Sequence, residues 1–245
     1  MNRVAAPKAF GAATIRDMTP ALLDQRLAFP DPQHANEDGL VAIGGDLSIE
    51  RLLLAYRSGI FPWTVNPISW WSPGQRGIFE LETFQAPRRL AQIVRQQPYV
   101  VTRDRAFRQV MQGCAAPGRG RGKTWISSEF IAAYTALHEA GHAHSVECWQ
   151  GAKLVGGIYG VSVGGLFAGE SMFHRADNAS KIALVHLIEH LRACGYALFD
   201  IQMVTPATES LGAVEIPRAD YLRRLAKARE MKCEFNAGKK QKVES

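Results

Sequence analysis

Hydrophobic and polar positions fall into two textures along the chain. Up to about Phe79 the apolar residues come in short bursts broken by Pro, Gly and Trp. Within that stretch the spacing predicts one helix over 49–57, capped by Asp46 or Ser48 and stopped at Gly59. The following NPISWWSPGQRGIF carries Pro67, Trp70, Trp71 and Pro73. It is incompatible with regular helix and reads as a compact small domain whose aromatics pack on something. The pattern is more regular further on. Ser128 starts a helix through Phe130, Tyr134 and Leu137 that ends near Gly141. Strand-like runs follow at 144–149, 154–163 and 166–173, with turns at Gly151 and Gly164–Gly165. Asp177 or Asn178 caps a helix whose stripe is Leu184, Leu187, Leu191 and Cys194, ended by Gly195. A strand over 197–204, a helical piece over 206–211 and a closing helix over 218–231 complete the order. That order is α+β. The texture places a boundary near Arg76, giving a small domain over 21–76 and a larger one over 77–235. Residues 1–20 and 236–245 are expected to be a mobile tail and a basic tail.

The 245 residues carry 29 Lys and Arg against 23 Asp and Glu, a net charge of +6. A chain of this size can bury ~70–75% of its unfolded surface without disulfides or metal. With 47% hydrophobic and 21% charged residues, wholesale disorder is excluded. No apolar run approaches the ~20 residues of a membrane-spanning helix. Cys114, Cys148, Cys194 and Cys233 form no CxxC pair, which argues against a zinc ribbon or disulfide framework and for a reducing, cytoplasmic setting. Residues 1–19 lack the apolar stretch of a signal peptide, although Arg3, Lys8 and Arg16 with no acid before Asp17 leave a transit peptide open. The excess charge matters chiefly for its distribution. Arg119, Arg121 and Lys123 lie in a Gly-rich loop, PGRGRGK, where arginines can pair phosphates and glycines let backbone approach.

Three constellations carry candidate chemistry. His138-Glu139-Ala140-Gly141-His142 satisfies HExxH, but zinc chemistry needs both histidines one turn apart on a continuing helix. Gly141 ends that helix, so His142 is expected past its end and no metal site is assigned. The glycines from Gly156 to Gly165 lie in and between strands rather than opening a helix, so they predict close backbone approach, not a phosphate cradle. Asp200 and Gln202 are two apart on one strand and so share a face, with Leu198 and Val204 beside them; Glu170 and Met172 share a face with Leu166 and Ala168. Acids in apolar strands are costly unless paired. They form a polar site in an apolar cleft, a structural salt bridge, or edge-exposed acids.

At these residues the chain resembles the leucyl/phenylalanyl-tRNA–protein transferases of the bacterial N-degron pathway. The matching stretches are FPDP, GLVAIGGDLS, GIFPW, ISWWSP, TWI, the LHEAGHAHSVE run, LVGGIYG, FAGESMF with NASK, DIQ, and SLGAVEIPR, roughly residues 29–218. The resemblance implies a small N-terminal domain and a C-terminal N-acetyltransferase-like (GNAT-like) domain with a mainly antiparallel sheet flanked by helices. A cytoplasmic monomer without cofactor or membrane partner is expected, since nothing in the sequence suggests an obligate dimer. The resemblance implies an enzyme that moves Leu, Phe and, less well, Met from aminoacyl-tRNA to proteins with N-terminal Arg or Lys, marking them for proteolysis. It puts the functional carboxylate on Glu170, the DxQ pair on Asp200 and Gln202, and stacking platforms for the terminal adenosine on Trp63 and Trp125. The amino-acid pocket would draw on Ile158, Phe167, Met172, Leu184, Leu187 and Phe199, with Asn178 of NASK nearby; the PGRGRGK loop would hold tRNA backbone. Many relatives carry His shortly before SLGA, where this chain has Ala207. The mechanism expected is that Asp200 takes the amine proton, Gln202 orients, and Glu170 holds an ammonium group; exchanging the two acids fits the sequence equally. An acyl-CoA-dependent acetyltransferase is disfavoured, because SMFHRADNASK lacks a glycine loop for pyrophosphate. A non-enzymatic RNA-binding module leaves Glu170, Asp200 and Gln202 without a role.

Overall fold

The computed structural model describes residues 20–36, 38–117 and 124–236. Arg119, Arg121 and Lys123, and nearly all of both expected tails, lie outside the described residues. The first elements are β1 (Ala21–Leu23), β2 (Leu40–Gly44), α1 (Ile49–Arg57), β3 (Phe61–Val65) and β4 (Ile68–Trp71). The four strands form one sheet in the order β1-β2-β4-β3. Then come β5 (Gln75–Phe79), α2 (Arg88–Arg95), β6 (Val100–Arg103), α3 (Phe107–Ala115), α4 (Ser128–Glu139), β7 (Ala143–Gln150), β8 (Lys153–Val163) and β9 (Leu166–His174). The chain continues through α5 (Ala179–Ala193), β10 (Leu198–Gln202), α6 (Pro206–Glu209), β11 (Val214–Pro217) and α7 (Arg218–Ala228). Here seven strands form a second sheet in the order β11-β5-β10-β9-β8-β7-β6. Its neighbours are antiparallel except β9 and β10, which run parallel.

Helices cover both faces of the larger sheet. Neighbouring positions on β8 show this directly: a side chain at Gly157 would meet Val110 of α3, and one at Gly156 would meet Ala179 of α5. One core gathers α1, α3, α4, α7 and the smaller sheet on the first face. A second gathers α2, α5 and Phe235 on the other. Among the described residues no helix is long and apolar enough to cross a membrane.

The elements expected from residue 128 onward are present, with β10, α6 and α7 shorter than expected, whereas α2, β6, α3 and β11 have no counterpart in the expected order. Ser48 rather than Asp46 caps α1, its side chain accepting from the Arg51 amide. Of the two expected caps of α5, Asn178 is the N-cap residue, but at φ +59° its side chain makes no capping hydrogen bond. The irregular first stretch is in fact stranded. Pro62 lies in β3, an edge strand, where a missing N–H breaks no interior ladder.

Two β-bulges also correct the predicted faces. Across β8 and β9, Tyr159 pairs with Ser171 and Gly160 with Gly169, leaving Glu170 as the extra residue. The alternation flips there. Ala168 belongs to the first core, but Met172 packs against the second. A shift on β10 between Asp200 and Gln202, with Gln202 at φ +59°, likewise sends Val204 to the second core while Leu198 stays in the first.

Candidate active site

The parallel pairing of β9 and β10 covers three residue pairs, ending at Asp200↔Ala168. Both strands continue unpaired to each other, and Glu170 and Gln202 face each other across this opening. Gln202 Nε2 donates to Glu170 Oε1 at 3.2 Å. Tyr56 of α1 donates to the same oxygen at 2.8 Å, and Tyr134 of α4 to Oε2 at 3.4 Å. The two tyrosine hydroxyls are 2.5 Å apart. Glu170 keeps some contact with solvent, but protein fills most of the volume around it. Burial pushes its carboxyl up to about 8, the Asp200 charge adds to this, and the Tyr56 and Tyr134 hydrogen bonds and the Arg76 charge pull it back.

Asp200 is held differently. Arg76 of β5 grips both its oxygens, Nε to Oδ1 at 2.8 Å and Nη2 to Oδ2 at 2.6 Å. Tyr221 of α7 donates to Oδ2 at 2.9 Å, and the Gln202 backbone N–H to Oδ1 at 2.9 Å. The Arg76 guanidinium lies over the rings of Phe61 and Tyr221, 4.9 and 4.4 Å from their centroids. Burial works against its charge, but the Asp200 carboxylate more than offsets this and raises its pKa. Gly77, beside Arg76, makes this packing possible: a Cβ there would stand 2.7 Å from the Met203 carbonyl carbon.

Glu170, Asp200 and Gln202 are thus brought together. The apolar candidates are not beside them. Ile158, Phe167, Leu184, Leu187 and Phe199 are buried in the second core, across the sheet, with Met172 half-buried against it. Phe199 packs its ring on Phe79 and Phe167. Trp63 and Trp125 are half-buried at the first core, edge-to-face with Trp71 and Phe130 respectively. Asn178 is half-buried at the start of α5. The reading missed Arg76, Tyr56, Tyr134 and Tyr221. The available signal was Arg76 itself, a lone cation entering the apolar run GIF.

The HExxH histidines part as expected. His138 is in the last turn of α4, Gly141 has φ +82°, and His142 lies beyond it. Among the described residues one His/Asp group, Asp104, His138 and His144, has potential ligand atoms within 4.8 Å of one another. Its polar atoms already serve the fold. Asp104 accepts from His144 Nδ1, the Ser145 amide and Asn236 Nδ2, all at 2.9 Å, and His138 Nδ1 contacts the Ala143 carbonyl.

The family model described as leucyl/phenylalanyl-tRNA protein transferase matches residues 78–226, and that of the family's N-terminal domain matches residues 45–74. The leucyl/phenylalanyl-tRNA–protein transferase of Shewanella pealeana is 47% identical over 220 residues, 88% of this chain and 93% of that protein. The one of Nitratidesulfovibrio vulgaris (strain DP4) is 51% identical over 204 residues, 82% of this chain and 87% of that protein. Among solved structures, L-PGS from Bacillus licheniformis is 18% identical with a TM-score of 0.39, over 63% of this chain and 52% of that one; so slight a likeness adds nothing. With family models over both stretches and close relatives along most of its length, the chain belongs to the leucyl/phenylalanyl-tRNA protein transferase family.

Proposed function

We propose that the protein transfers leucine or phenylalanine, and less readily methionine, from aminoacyl-tRNA to the α-amino group of acceptor proteins that begin with Arg or Lys. In a cytoplasmic N-degron pathway the product would then be degraded. Family membership supports the reaction class, and the opening between β9 and β10 supports the site. The mainly antiparallel sheet with one diverging parallel pair is consistent with a GNAT-like domain reaching residue 235 and a small domain before it, the boundary lying just ahead of β5 rather than at Arg76, which is within that strand. The protein works as a monomer.

The donor is an ester and the product an amide, so transfer is downhill. The attacking amine has an ordinary pKa of ~7.7–8.0, and a proton acceptor works best when matched to the operating pH. The observation that carries our assignment is the contrast between the two acids. Four hydrogen bonds saturate Asp200, whereas Glu170 sits in the opening with a carboxyl near 8. Glu170 therefore takes the proton as the N–C bond forms, and returns it to the ribose oxygen as the ester C–O bond breaks. Of the two exchangeable assignments, this is the one with Asp200 in support: it fixes the Gln202 backbone, and Gln202 orients the amine. Trp63 and Trp125 stack the 3′ end of the tRNA, the PGRGRGK loop with Arg119, Arg121 and Lys123 holds its backbone, and Asn178 lies at the pocket rim. The amino-acid side chain enters between β9 and β10 toward Met172, with Ile158, Phe167, Leu184, Leu187 and Phe199 behind it. Apolar pockets discriminate by only ~1–3 kcal/mol per methylene, so Leu, Met and Phe should overlap as donors.

Glu170→Gln tests the assignment. Because the base must be ionised, wild-type kcat should rise through about pH 8. The variant should lose that limb and at least ~100-fold in kcat at its top, within the range general bases contribute. A variant that kept the wild-type profile would refute the role.

A further inference from the structure

Tyr56, Tyr134 and Glu170 come from three elements, α1, α4 and β9, and converge as one hydrogen-bonded triangle. Both tyrosines are fully enclosed. Phenylalanine would fill the same space without the cost of taking a hydroxyl out of water, so both hydroxyls serve the carboxylate they face. Resting on Glu170 as the proton acceptor, we propose that Tyr56 and Tyr134 are positioning residues: their hydroxyls form a reversible donor chain that holds Glu170 in one orientation while it gains and releases the substrate proton.

The proton count supports this. With Glu170 ionised, Tyr56 donates to Oε1, and Tyr134 donates to Tyr56 or to Oε2. Gln202 and Tyr56 both donate to Oε1, so the amine proton goes to Oε2; that O–H then donates to Tyr134, Tyr134 donates to Tyr56, and Tyr56 still donates to Oε1. Only hydroxyl rotations occur and no heavy atom moves; the Glu170 O–H turns from the phenol to the ribose oxygen to deliver its proton. Chained donors of this kind reinforce one another in a low-dielectric interior. Burial, with the Glu170 charge beside them, pushes both phenols well above their ordinary range, so they remain neutral donors at working pH. The other polar groups near Glu170 are Gln202 and Asp200 of β10, Arg76 of β5 and Tyr159 of β8. Asp200 opposes ionisation, Arg76 favours it, and the buried Tyr159 hydroxyl has no hydrogen-bond partner among the described residues. The two phenols are thus the donors that can follow the proton.

The test compares Tyr56→Phe, Tyr134→Phe and Glu170→Gln in the full chain, with leucyl-tRNA and an Arg-initiated peptide, from pH 6 to 9.5. Single-turnover rates are corrected for spontaneous ester hydrolysis. A hydrogen bond to a charged group is worth about one to two pH units. Tyr56→Phe should therefore move the rising limb of kcat up by about one to two units, an ~10- to 100-fold loss at pH 7 that is recovered at high pH. KM for both substrates should stay within ~3-fold, since the interaction acts on the proton rather than on binding. Tyr134→Phe, with the longer contact, should move the limb the same way by less. It also carries the test if Tyr56→Phe fails to fold. A loss equal at every pH, a loss confined to KM, or no loss would overturn the proposal. If Glu170→Gln abolishes the limb and neither tyrosine variant moves it, the donor chain alone fails. If Glu170→Gln leaves the limb in place, the assignment of Glu170 fails with it.

Discussion

Replacing Arg76 with Met removes two of the four hydrogen bonds to Asp200 and leaves the carboxylate sealed in the fold. Neither side chain has an escape route: Arg76 is 1% exposed and Asp200 0%. What remains for Asp200 is the Tyr221 hydroxyl and the Gln202 amide. Arg76 also donates to the Gly59 carbonyl, so a tie between the turn after α1 and the larger sheet is lost as well. Breaking a buried pair on one side costs ~3–5 kcal/mol, against a typical total stability of ~5–15 kcal/mol. At ~2–4 °C per kcal/mol for a chain of this size, Tm should fall by ~6–20 °C. Asp200→Asn should cost a similar amount, because it leaves an unpaired guanidinium. The double variant Arg76→Met/Asp200→Asn should be less destabilised than the two single losses added together, by ~2 kcal/mol or more, since it buries no lone charge. Thermal and urea unfolding of all four proteins, followed by circular dichroism, supplies the cycle. A Tm for Arg76→Met within ~2 °C of wild type, or strictly additive losses, would refute the view of this pair as the clamp behind Gln202.

Other consequences are testable with the same proteins. Glu170 keeps its proton in the fold until about pH 8 but releases it near 4.5 when unfolded. Wild-type stability should therefore fall as pH rises from 4.5 through 8, and Glu170→Gln should flatten that slope in Tm scans at pH 5, 7 and 9. An unchanged slope would mean that the carboxyl is not raised. Trp63→Ala should raise KM for charged tRNA roughly 5- to 150-fold, the equivalent of one stacked base at ~1–3 kcal/mol, and leave KM for the peptide alone. Reversing Arg119 and Arg121 to Glu should flatten the salt dependence of KM for charged tRNA; an identical slope would make the loop a spectator.

The residues show where sequence reading succeeds and where it stops. The apolar repeat of α5, with Leu184, Leu187 and Leu191 buried, was visible because one helix faces one core. The strands from β7 to β9 were visible because Gly151 and the Gly164–Gly165 pair punctuate them. Glu170 and Asp200 stood out because an acid in an apolar strand needs a partner. Their partners did not stand out. Arg76 and Tyr56 are 124 and 114 positions away from Asp200 and Glu170 respectively, and no local period reports such a separation. Period-two reasoning also failed at the bulges. One extra residue at Glu170 puts Met172 on the opposite face, which the sequence pattern does not signal. The aromatic, Pro-rich start was read as irregular because Pro62 hides an edge strand and the turns around it leave no alternation.

The central claim is best tested by one incubation. Purified protein is mixed with tRNA charged with radiolabelled leucine and a peptide beginning with Arg. Parallel samples hold the N-acetylated peptide, an Ala-initiated peptide, or labelled acetyl-CoA in place of the charged tRNA. The account predicts label on the free Arg peptide alone. Acetylation from acetyl-CoA without transfer from leucyl-tRNA would contradict it.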